Sequence, residues 1–478
     1  MKRRLNFILN KNEVETSQHP GMSLLDYLRQ EAHLTGTKEG CKEGDCGTCT
    51  VLIGELIKDK LQYKSVNSCL LPIGDVNQKH IVTIEGLNRE ELTPIQTEMV
   101  DEGGTQCGFC TPGFVVSLSG YYLINDDYNT EDAIDSMNGN ICRCTGYAGI
   151  KRTANKITQR LKILAKNNHS KIELLVGEKI LPEYFLDVKE KLNSLILQKE
   201  SNITDDNLDF SNRFTISGGT DLMVQKWEDI LKSDVTLISD KNVISGIKEE
   251  NSKIIIGGAT TASEIEDSPI MAKYFPEIKE YLSLFGSLPI KNTATVAGNI
   301  VNASPIADMT SIFLALNSTL TLRNSNSSRE ILLKDFYIGY KTLDKKENEL
   351  LTLISFNIPK ENSFFNYEKV SKRKYLDIAS VNSSLFIDVD EDFINEVNIS
   401  AGGVAPIPLY LKETGKFLSS KKISSATIEE ASEILQDEIS PISDARGTAE
   451  YKRLLLRQLF YAHFIKLFPK LIVIEELV

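Results

Sequence analysis

All eight cysteines of this 478-residue chain lie before residue 145, and they fall into two sets of four. Cys41, Cys46, Cys49 and Cys69 are separated by four, two and nineteen residues; Cys107, Cys110, Cys142 and Cys144 are separated by two, thirty-one and one. Three readings compete for such a pattern. Disulfides would suit a small secreted domain, but a long chain that builds its own cores has little need of staples, and a reducing compartment opposes them. A Cys₄ zinc site can be made from two Cys-x₂-Cys pairs. The four-then-two spacing of the first set instead matches the loop of plant-type ferredoxins, whose four thiolates hold a [2Fe-2S] cluster.

The residues between the ligands favour the cluster. Gly40, Gly44 and Gly47 alternate with cysteine in Gly-Cys-Lys-Glu-Gly-Asp-Cys-Gly-Thr-Cys. Glycine lets the backbone wrap closely and aim its N–H groups at an anionic core. Around this loop the pattern predicts strands over Leu5 to Leu9, near Val14, at Val51-Leu52-Ile53 and at Ile81 to Ile84. An amphipathic helix is expected to carry Leu24, Leu25, Leu28 and Ala32. The second set sits among helix signals. Thr93-Pro94-Ile95-Gln96 is a capping box with proline at the first helical position, and further helices are expected to start near Thr111-Pro112 and Thr130-Glu131-Asp132. Cys110 and Cys144 are thereby expected near helix ends.

From about residue 165 the texture changes. A charged connector, Lys166 to Lys171, leads into alternating strand and helix signals with no cysteine. Phe214-Thr215-Ile216-Ser217-Gly218-Gly219-Thr220-Asp221-Leu222-Met223 runs from an apolar strand through a Gly-Gly turn into a helix, and such a turn can present N–H groups to a pyrophosphate. Taken alone it is more often structural. A second glycine-bearing segment, Thr295-Val296-Ala297-Gly298-Asn299-Ile300 followed by Ser304 to Asp308, suggests a clamp on one extended ligand. No Gly-x-Gly-x-x-Gly occurs, so a Rossmann site is not supported.

Composition narrows the rest. A net charge of −12 repels a phosphate backbone, so nucleic acid is not an expected partner. The basic lead Lys2-Arg3-Arg4 is followed by an apolar run broken by Asn6 and Asn10, which reads as a first strand and not as a signal peptide. No stretch approaches the roughly 18 apolar residues of a membrane helix. A cytoplasmic location with no membrane partner is expected. The five histidines, His19, His33, His80, His169 and His463, are scattered and read as structural or surface residues.

Taken together, the loop Gly40 to Cys49, the string Gln106-Cys107-Gly108-Phe109-Cys110-Thr111-Pro112-Gly113, the string Gly139-Asn140-Ile141-Cys142-Arg143-Cys144-Thr145-Gly146-Tyr147 and the two flavin turns occur in one order. They closely resemble the small iron–sulfur and FAD subunit of bacterial xanthine dehydrogenases, within the molybdenum hydroxylase family. The resemblance spans residues 1 to about 410 and continues more thinly from Ala401-Gly402-Gly403-Val404-Ala405-Pro406. It implies an α+β multidomain chain: a β-grasp ferredoxin domain (1–86), an all-α [2Fe-2S] domain (87–165), and a connector opening the next domain (166–205). A two-part FAD domain of the vanillyl-alcohol-oxidase or PCMH type (206–365) and a C-terminal α+β domain (370–478) follow.

The resemblance further implies that the eight cysteines ligate two [2Fe-2S] clusters. Ser217, Gly218, Gly219, Thr220, Asp221, Leu222, Met223 and Val224 would hold the FAD diphosphate and ribityl chain, with Phe285 near the adenine. Thr295, Gly298, Asn299 and Asp308 would complete the site, joined by Ile354 and Lys369. Without the resemblance, Phe285 is a plain core aromatic and Asp308 a helix N-cap. The implied function is electron transfer from a molybdopterin-binding large subunit through both clusters to FAD and on to NAD⁺, in a heterotetramer with two copies of each subunit, with no catalytic acid or base. A basic loop, Ser371 to Asp377, is placed to favour NAD⁺, although a solvated charge run is the plainer reading. A stand-alone flavin reductase, a relative acting on an aldehyde or another heterocycle, and a zinc-bound scaffold remain as alternatives.

Overall fold

The computed structural model describes residues 4–165, 170–197, 214–238, 244–373 and 375–477. His169, most of the Lys166 to Lys171 connector, residues 198–205 and Lys374 lie outside the described residues. The chain forms two compact units. The first holds the described residues up to 238 together with Ser287–Ala294; the second holds those from 244 to 286 and from 295 onward.

The first unit opens with a five-stranded mixed sheet in the order Asn12–Thr16, Leu5–Leu9, His80–Val82, Thr50–Ile57, Lys60–Asn67. Leu5–Leu9 pairs antiparallel with its hairpin partner and parallel with His80–Val82. The hairpin between Thr50–Ile57 and Lys60–Asn67 turns on Lys58 and Asp59, both at positive φ, which is the backbone that matches the twist of two-residue hairpins. The expected amphipathic helix is present but short. Ser23 caps Leu24–Asp26, accepting the Asp26 N–H at 3.1 Å, and the chain then widens into a π turn over Tyr27–Glu31. Leu24, Leu25 and Leu28 are nevertheless fully buried. The strand expected over Ile81 to Ile84 stops at Val82, because Asn10 Oδ1 takes the Thr83 N–H at 2.9 Å; Ile84 instead begins the helix Ile84–Leu87.

The helices Pro94–Asp101, Thr111–Ile124, Thr130–Asp135 and Ala148–Leu164 follow. The Thr93 and Gln96 capping box is made in both directions, at 2.8 and 3.3 Å. Thr111–Ile124 is buried almost all round, which explains its run of apolar and small residues. Gly120 lets it lie on the sheet, since a Cβ there would stand 2.6 Å from Leu52 Cδ2. The same unit contains the short parallel pair Phe214–Ile216 and Val235–Leu237.

In the second unit, an antiparallel sheet runs Ser328–Leu332, Thr319–Arg323, Leu350–Asn357, Lys253–Gly257, Ile247–Glu250. Its core includes Ile254, Ile256, Leu320, Ile354 and Phe313. A four-stranded meander, Ser363–Val370, Val381–Asp390, Phe393–Gly402 and Leu409–Tyr410, packs its own core with the helices Lys412–Leu418, Ser425–Glu438 and Ala449–Leu467. The helix Asp308–Ala315 ties the two together: Ser311 Oγ lies 3.1 Å from Ser384 Oγ and 2.9 Å from Ser400 Oγ. Among the described residues no helix is long and apolar enough to cross a membrane.

Two buried histidines carry a pH dependence. His80 lies 2.8 Å from the Tyr63 hydroxyl and 2.9 Å from the Asn10 carbonyl; His463 lies between Asn366 and Ser383. Burial pushes His80 down to about 4 and His463 down to about 3. The unfolded chain therefore binds protons that the fold refuses, so the stability is complete above the ordinary histidine value and falls as pH drops below it. Denaturant melts should lose on the order of 2 kcal/mol per histidine between about pH 6.5 and about pH 5. His463→Gln should flatten the loss for the second unit, and an unchanged slope would contradict the assignment.

Candidate cofactor sites

The first thiol set is built by the ends of one hairpin and the loop before it. Cys49 immediately precedes the strand Thr50–Ile57 and Cys69 follows Lys60–Asn67, so antiparallel pairing brings their sulfurs to 3.4 Å, each 2% exposed. The Ser68 amide and hydroxyl both donate to the Cys49 carbonyl, which fixes this corner. Gly44 and Gly47 take positive φ and turn the loop inward. Cys41 then receives the N–H groups of Glu43 and Asp45 at 3.4 and 3.3 Å, and Cys46 shares a hydrogen bond with the Thr48 hydroxyl at 3.3 Å.

The second set lies between helices. Cys110 is the N-cap of Thr111–Ile124, whereas Cys142 and Cys144 sit in the irregular stretch before Ala148–Leu164. Cys107 and Cys144 approach to 3.6 Å. Cys142 receives the N–H groups of Cys144 and Thr145, both at 3.4 Å, and pairs with the Thr145 hydroxyl at 3.2 Å.

All eight thiols are free, and they are gathered in twos. In each pair one thiol is acidified by its neighbour. A hydrogen bond from Cys41 brings Cys46 down to about 5 and raises Cys41 in turn. Cys69 does the same for Cys49. The Phe109 N–H, then Cys144, lowers Cys107, while Cys144 rises as the donor. Burial works against ionisation of Cys142, but Thr145 and the neighbouring N–H groups outweigh it; burial pushes Cys110 up to about 12. Two sets of four free thiols, with N–H and hydroxyl groups turned toward Cys41, Cys46 and Cys142, suit metal ions that each take two thiolates. A [2Fe-2S] core has two such irons per site. Among the described residues no three His, Cys, Asp or Glu side chains converge on a single point.

The two sites are bonded to each other. The Ile141 N–H donates to the Cys46 carbonyl at 3.0 Å, one residue before Cys142. Asn140 Nδ2 donates to the Gly47 carbonyl at 3.0 Å, and its Oδ1 accepts from Ser117 at 2.8 Å. Glycine is required on both sides: a Cβ on Gly113 would strike the Gly47 carbonyl, and one on Gly47 would strike the Gly139 carbonyl.

The flavin segments fall in different units. In the first unit, Ser217-Gly218-Gly219 turns from Phe214–Ile216 toward the helix Leu222–Gln225. Gly219 has φ +75, and a Cβ on it would lie 2.7 Å from the Leu70 carbonyl; a Cβ on Gly218 would collide with the Thr293 carbonyl. Met223 is buried, with Leu222 and Val224 half-buried, in an apolar cluster that includes Cys49, Cys69 and Leu70. Thr220 and Asp221 are half-buried at the turn. Among the described residues, Ser217 Oγ is buried with no hydrogen-bond partner. A buried hydroxyl without a partner beside glycine amides fits an incoming phosphate oxygen.

In the second unit, Thr295 caps Val296–Val301 by accepting the Gly298 N–H at 3.3 Å, and Asn299 Oδ1 accepts both the amide and hydroxyl of Thr310 at 3.2 Å. Asp308 is not the N-cap; Ala307 is. Its carboxylate accepts from the Tyr367 hydroxyl at 2.6 Å, Asn382 Nδ2 at 2.8 Å and Lys369 Nζ at 2.8 Å. Lys369, with a side chain 1% exposed, also donates to the Leu284 carbonyl at 2.7 Å. Burial, reinforced by the Asp308 charge, keeps Tyr367 protonated and so a donor. Ile354 lies fully buried in the middle of Leu350–Asn357, where its side chain fills the core, and Phe285 packs half-buried against that core. Tyr367 and Asn382 escaped the sequence reading, although Tyr367 shares a strand face with Lys369 two residues on. In the basic loop Lys372 Nζ donates to the Ala445 carbonyl at 3.1 Å and Arg373 to the Leu376 carbonyl at 2.7 Å, so part of its charge is tied down. His19 bonds to the distant Ser233 carbonyl and to the Gly21 N–H, and His33 is exposed.

Comparison with known proteins yields four family matches in chain order. Residues 7–73 match the 2Fe-2S iron-sulfur cluster binding domain and 83–155 a [2Fe-2S] binding domain. Residues 210–361 match the FAD binding domain in molybdopterin dehydrogenase, and 366–467 the CO dehydrogenase flavoprotein C-terminal domain. Xanthine dehydrogenase 1 of Arabidopsis thaliana is 27% identical over 93% of this chain, and xanthine dehydrogenases of Emericella nidulans and Oryza sativa subsp. japonica are 28% and 29% identical over 96% and 93%. The chain spans 38% of the length of each. Reconstituted CO dehydrogenase from Oligotropha carboxidovorans shares the fold over 52% of this chain and 87% of the matched chain, with a TM-score of 0.50 at 24% identity.

Gly218→Ala tests the flavin turn. Its methyl group would meet the Thr293 backbone, which cannot yield as a flexible side chain can. FAD content should fall below about a tenth of the wild-type value, with iron content unchanged. A variant that keeps its FAD would show that the turn does not face the diphosphate.

Proposed function

Since the chain carries the two [2Fe-2S] domains, the FAD-binding domain and the flavoprotein C-terminal domain of the electron-transfer part of molybdenum hydroxylases, we propose that it is the iron–sulfur and FAD subunit of a xanthine dehydrogenase. In this reading a molybdopterin-binding large subunit oxidises xanthine with water as the oxygen source. Two electrons then pass through this chain to NAD⁺, in an assembly of two copies of each subunit in the cytoplasm. The similarity to three xanthine dehydrogenases along nearly the whole chain supports that substrate. The domain limits follow the sequence reading, at 1–86, 87–165, 206–365 and 370–478.

One observation carries the electron-transfer role: both thiol sets and the Gly218-Gly219 turn lie in a single series of backbone contacts. Cys142 is one peptide from Ile141, which donates to the Cys46 carbonyl; Cys69 is one peptide from Leu70, whose carbonyl abuts Gly219. When bound, the clusters move single electrons and the flavin gathers two before passing them on as a hydride. The chain's own residues supply position and charge. Cys41, Cys46, Cys49 and Cys69 would hold one cluster, and Cys107, Cys110, Cys142 and Cys144 the other. The amides of Glu43, Asp45, Cys144 and Thr145 partly offset thiolate charge. Ser217 to Val224 would receive the FAD diphosphate. Asn299, Thr295, Asp308, Lys369, Phe285 and the backbone at Ile354 would shape the rest of the flavin site.

A second reading keeps the same chemistry with another oxidised substrate, as the match to a CO dehydrogenase flavoprotein domain allows. The deciding experiment is purification of the native complex, with iron, FAD and molybdenum counted per chain, followed by xanthine-dependent NAD⁺ reduction. A molybdenum complex inert toward xanthine but active on an aldehyde would favour the second reading. Cys110→Ser should lose one cluster and stop electron flow to FAD while substrate still reduces the molybdenum subunit; full turnover in that variant would contradict the scheme. Lys372→Glu with Lys374→Glu should lower NAD⁺ turnover relative to oxygen if the basic loop receives the nucleotide.

A further inference from the structure

The segment Ser287–Ala294 lies within the FAD-domain match, yet it packs with the iron–sulfur unit. Its sequence, Ser-Leu-Pro-Ile-Lys-Asn-Thr-Ala, forms a single turn over Leu288–Lys291 with proline in the first turn. Every part of it meets a different piece of the electron path. At its start the Leu288 N–H donates to Asn138 Oδ1 at 3.1 Å, and Ser287 and Pro289 pack so closely on Gly139 that a Cβ there would lie 3.0 and 3.2 Å from them. Gly139 opens the stretch that carries Cys142. In the middle, Ile290 Cδ1 fills the space beside Gly44 in the first cysteine loop, where a Cβ would lie 2.7 Å from it and 2.7 Å from Leu70 Cδ1. Asn292 Nδ2 donates to the Ser65 carbonyl at 2.8 Å, on the strand that leads to Cys69. At its end the Thr293 carbonyl and the Ala294 Cα back directly onto Gly218.

The flavin turn is thus held from two sides within one unit. Gly218 rests on the strap and Gly219 on the Leu70 carbonyl and Pro72 ring, so neither glycine can move without displacing backbone. Ile290 belongs to the same apolar cluster as Cys49, Cys69, Leu70, Ile216 and Met223. A side chain that touches both the cysteine loop and Leu70, on a segment that backs the flavin turn, fixes the distance between the two.

We propose that Ile290 and Asn292 are positioning residues: through the strap Ser287–Ala294 they hold the Gly218-Gly219 turn at a set distance from the Cys49 and Cys69 edge of the first cluster. The inference rests on the flavoprotein reading above. Neither residue supplies a ligand sulfur, so their loss loosens the geometry without removing a cofactor ligand. The coupling is reciprocal, because anything that orders the turn also orders the loop that Ile290 touches.

The test uses the full chain loaded with iron and FAD, comparing Ile290→Ala, Ile290→Val and Asn292→Ala with the wild type. Three quantities are read: iron per chain, the FAD dissociation constant from recovery of free-flavin fluorescence, and the rate at which flash-injected electrons redistribute between cluster and flavin. Both alanine variants should keep their iron, bind FAD about tenfold more weakly, and redistribute electrons more slowly by a similar factor. Ile290→Val, which keeps the branched β-carbon but loses the Cδ1 that meets Gly44, should fall between Ile290→Ala and wild type in both readouts. Unchanged affinity and rate in both alanine variants would overturn the proposal, as would loss of iron in step with FAD, which marks a merely structural segment. A wild-type chain that loads iron but never FAD would instead overturn the flavoprotein reading itself.

Discussion

The close backbone contact between Gly47 and the Gly139 to Cys142 stretch is the constraint on which the iron–sulfur unit depends. Two domains, one a sheet and one a helical bundle, each carry four thiols, and their two cysteine-bearing loops touch. Touching requires main chain against main chain, because any side chain adds distance. Gly47 and Gly113 remove the obstacle, and Asn140 makes the contact specific by satisfying the Gly47 carbonyl while accepting from Ser117. A buried carbonyl left unpaired costs about 1–3 kcal/mol, so Asn140 holds the register as firmly as it permits the approach.

The thiol pairs show why the sequence around the cysteines is more informative than their number. The four-two-nineteen spacing sends Cys49 and Cys69 to neighbouring ends of one hairpin, and the hairpin register alone brings the sulfurs together. The glycines between the ligands and the strand at Val51-Leu52-Ile53 could be read in advance, since both have local causes, whereas the partner strand Lys60–Asn67 was not read. The capping box at Thr93 was equally legible because its two bonds join residues three apart. The extent of the helix near Leu24 was not, since the widening at Tyr27–Glu31 answers to packing around it. Nor was the end of the strand at Val82, which is set by Asn10, more than seventy residues away.

The flavin segments divide along the same line. Ser217-Gly218-Gly219 announces a turn, and positive φ at Gly219 confirms why glycine stands there. What presses on that turn, the Leu70 carbonyl and the Thr293 carbonyl, has no local signature, because both arrive from distant parts of the chain. Asp308 is the opposite case. Its position before a helix suggests a cap, but its carboxylate turns to Lys369, Tyr367 and Asn382, three residues on two adjacent strands of the meander. Removing one partner of such a buried pair leaves the other charge stranded, at about 3–5 kcal/mol, whereas the intact group contributes mainly by specifying one arrangement. Asp308 therefore couples the helix Asp308–Ala315 to the meander, and that link determines where the helix begins.

The two buried networks differ in what they can tolerate. Around Asp308 the carboxylate is engaged by Tyr367, Lys369 and Asn382, while Asn382 Oδ1 is itself buried without a partner among the described residues. At Ser217 the hydroxyl is buried and, among those residues, has no protein partner. A satisfied group and an unsatisfied one at comparable depth imply different obligations: the first stabilises the fold as it stands, while the second is costly until something binds. Ser217 is one of several such groups, since Asn67, Ser287 and Asn382 also bury an unpaired polar atom among the described residues. A phosphate bound at the Ser217 turn would satisfy that hydroxyl, and because Gly219 abuts the Leu70 carbonyl it would link occupancy of the turn to the order of the segment that carries Cys69.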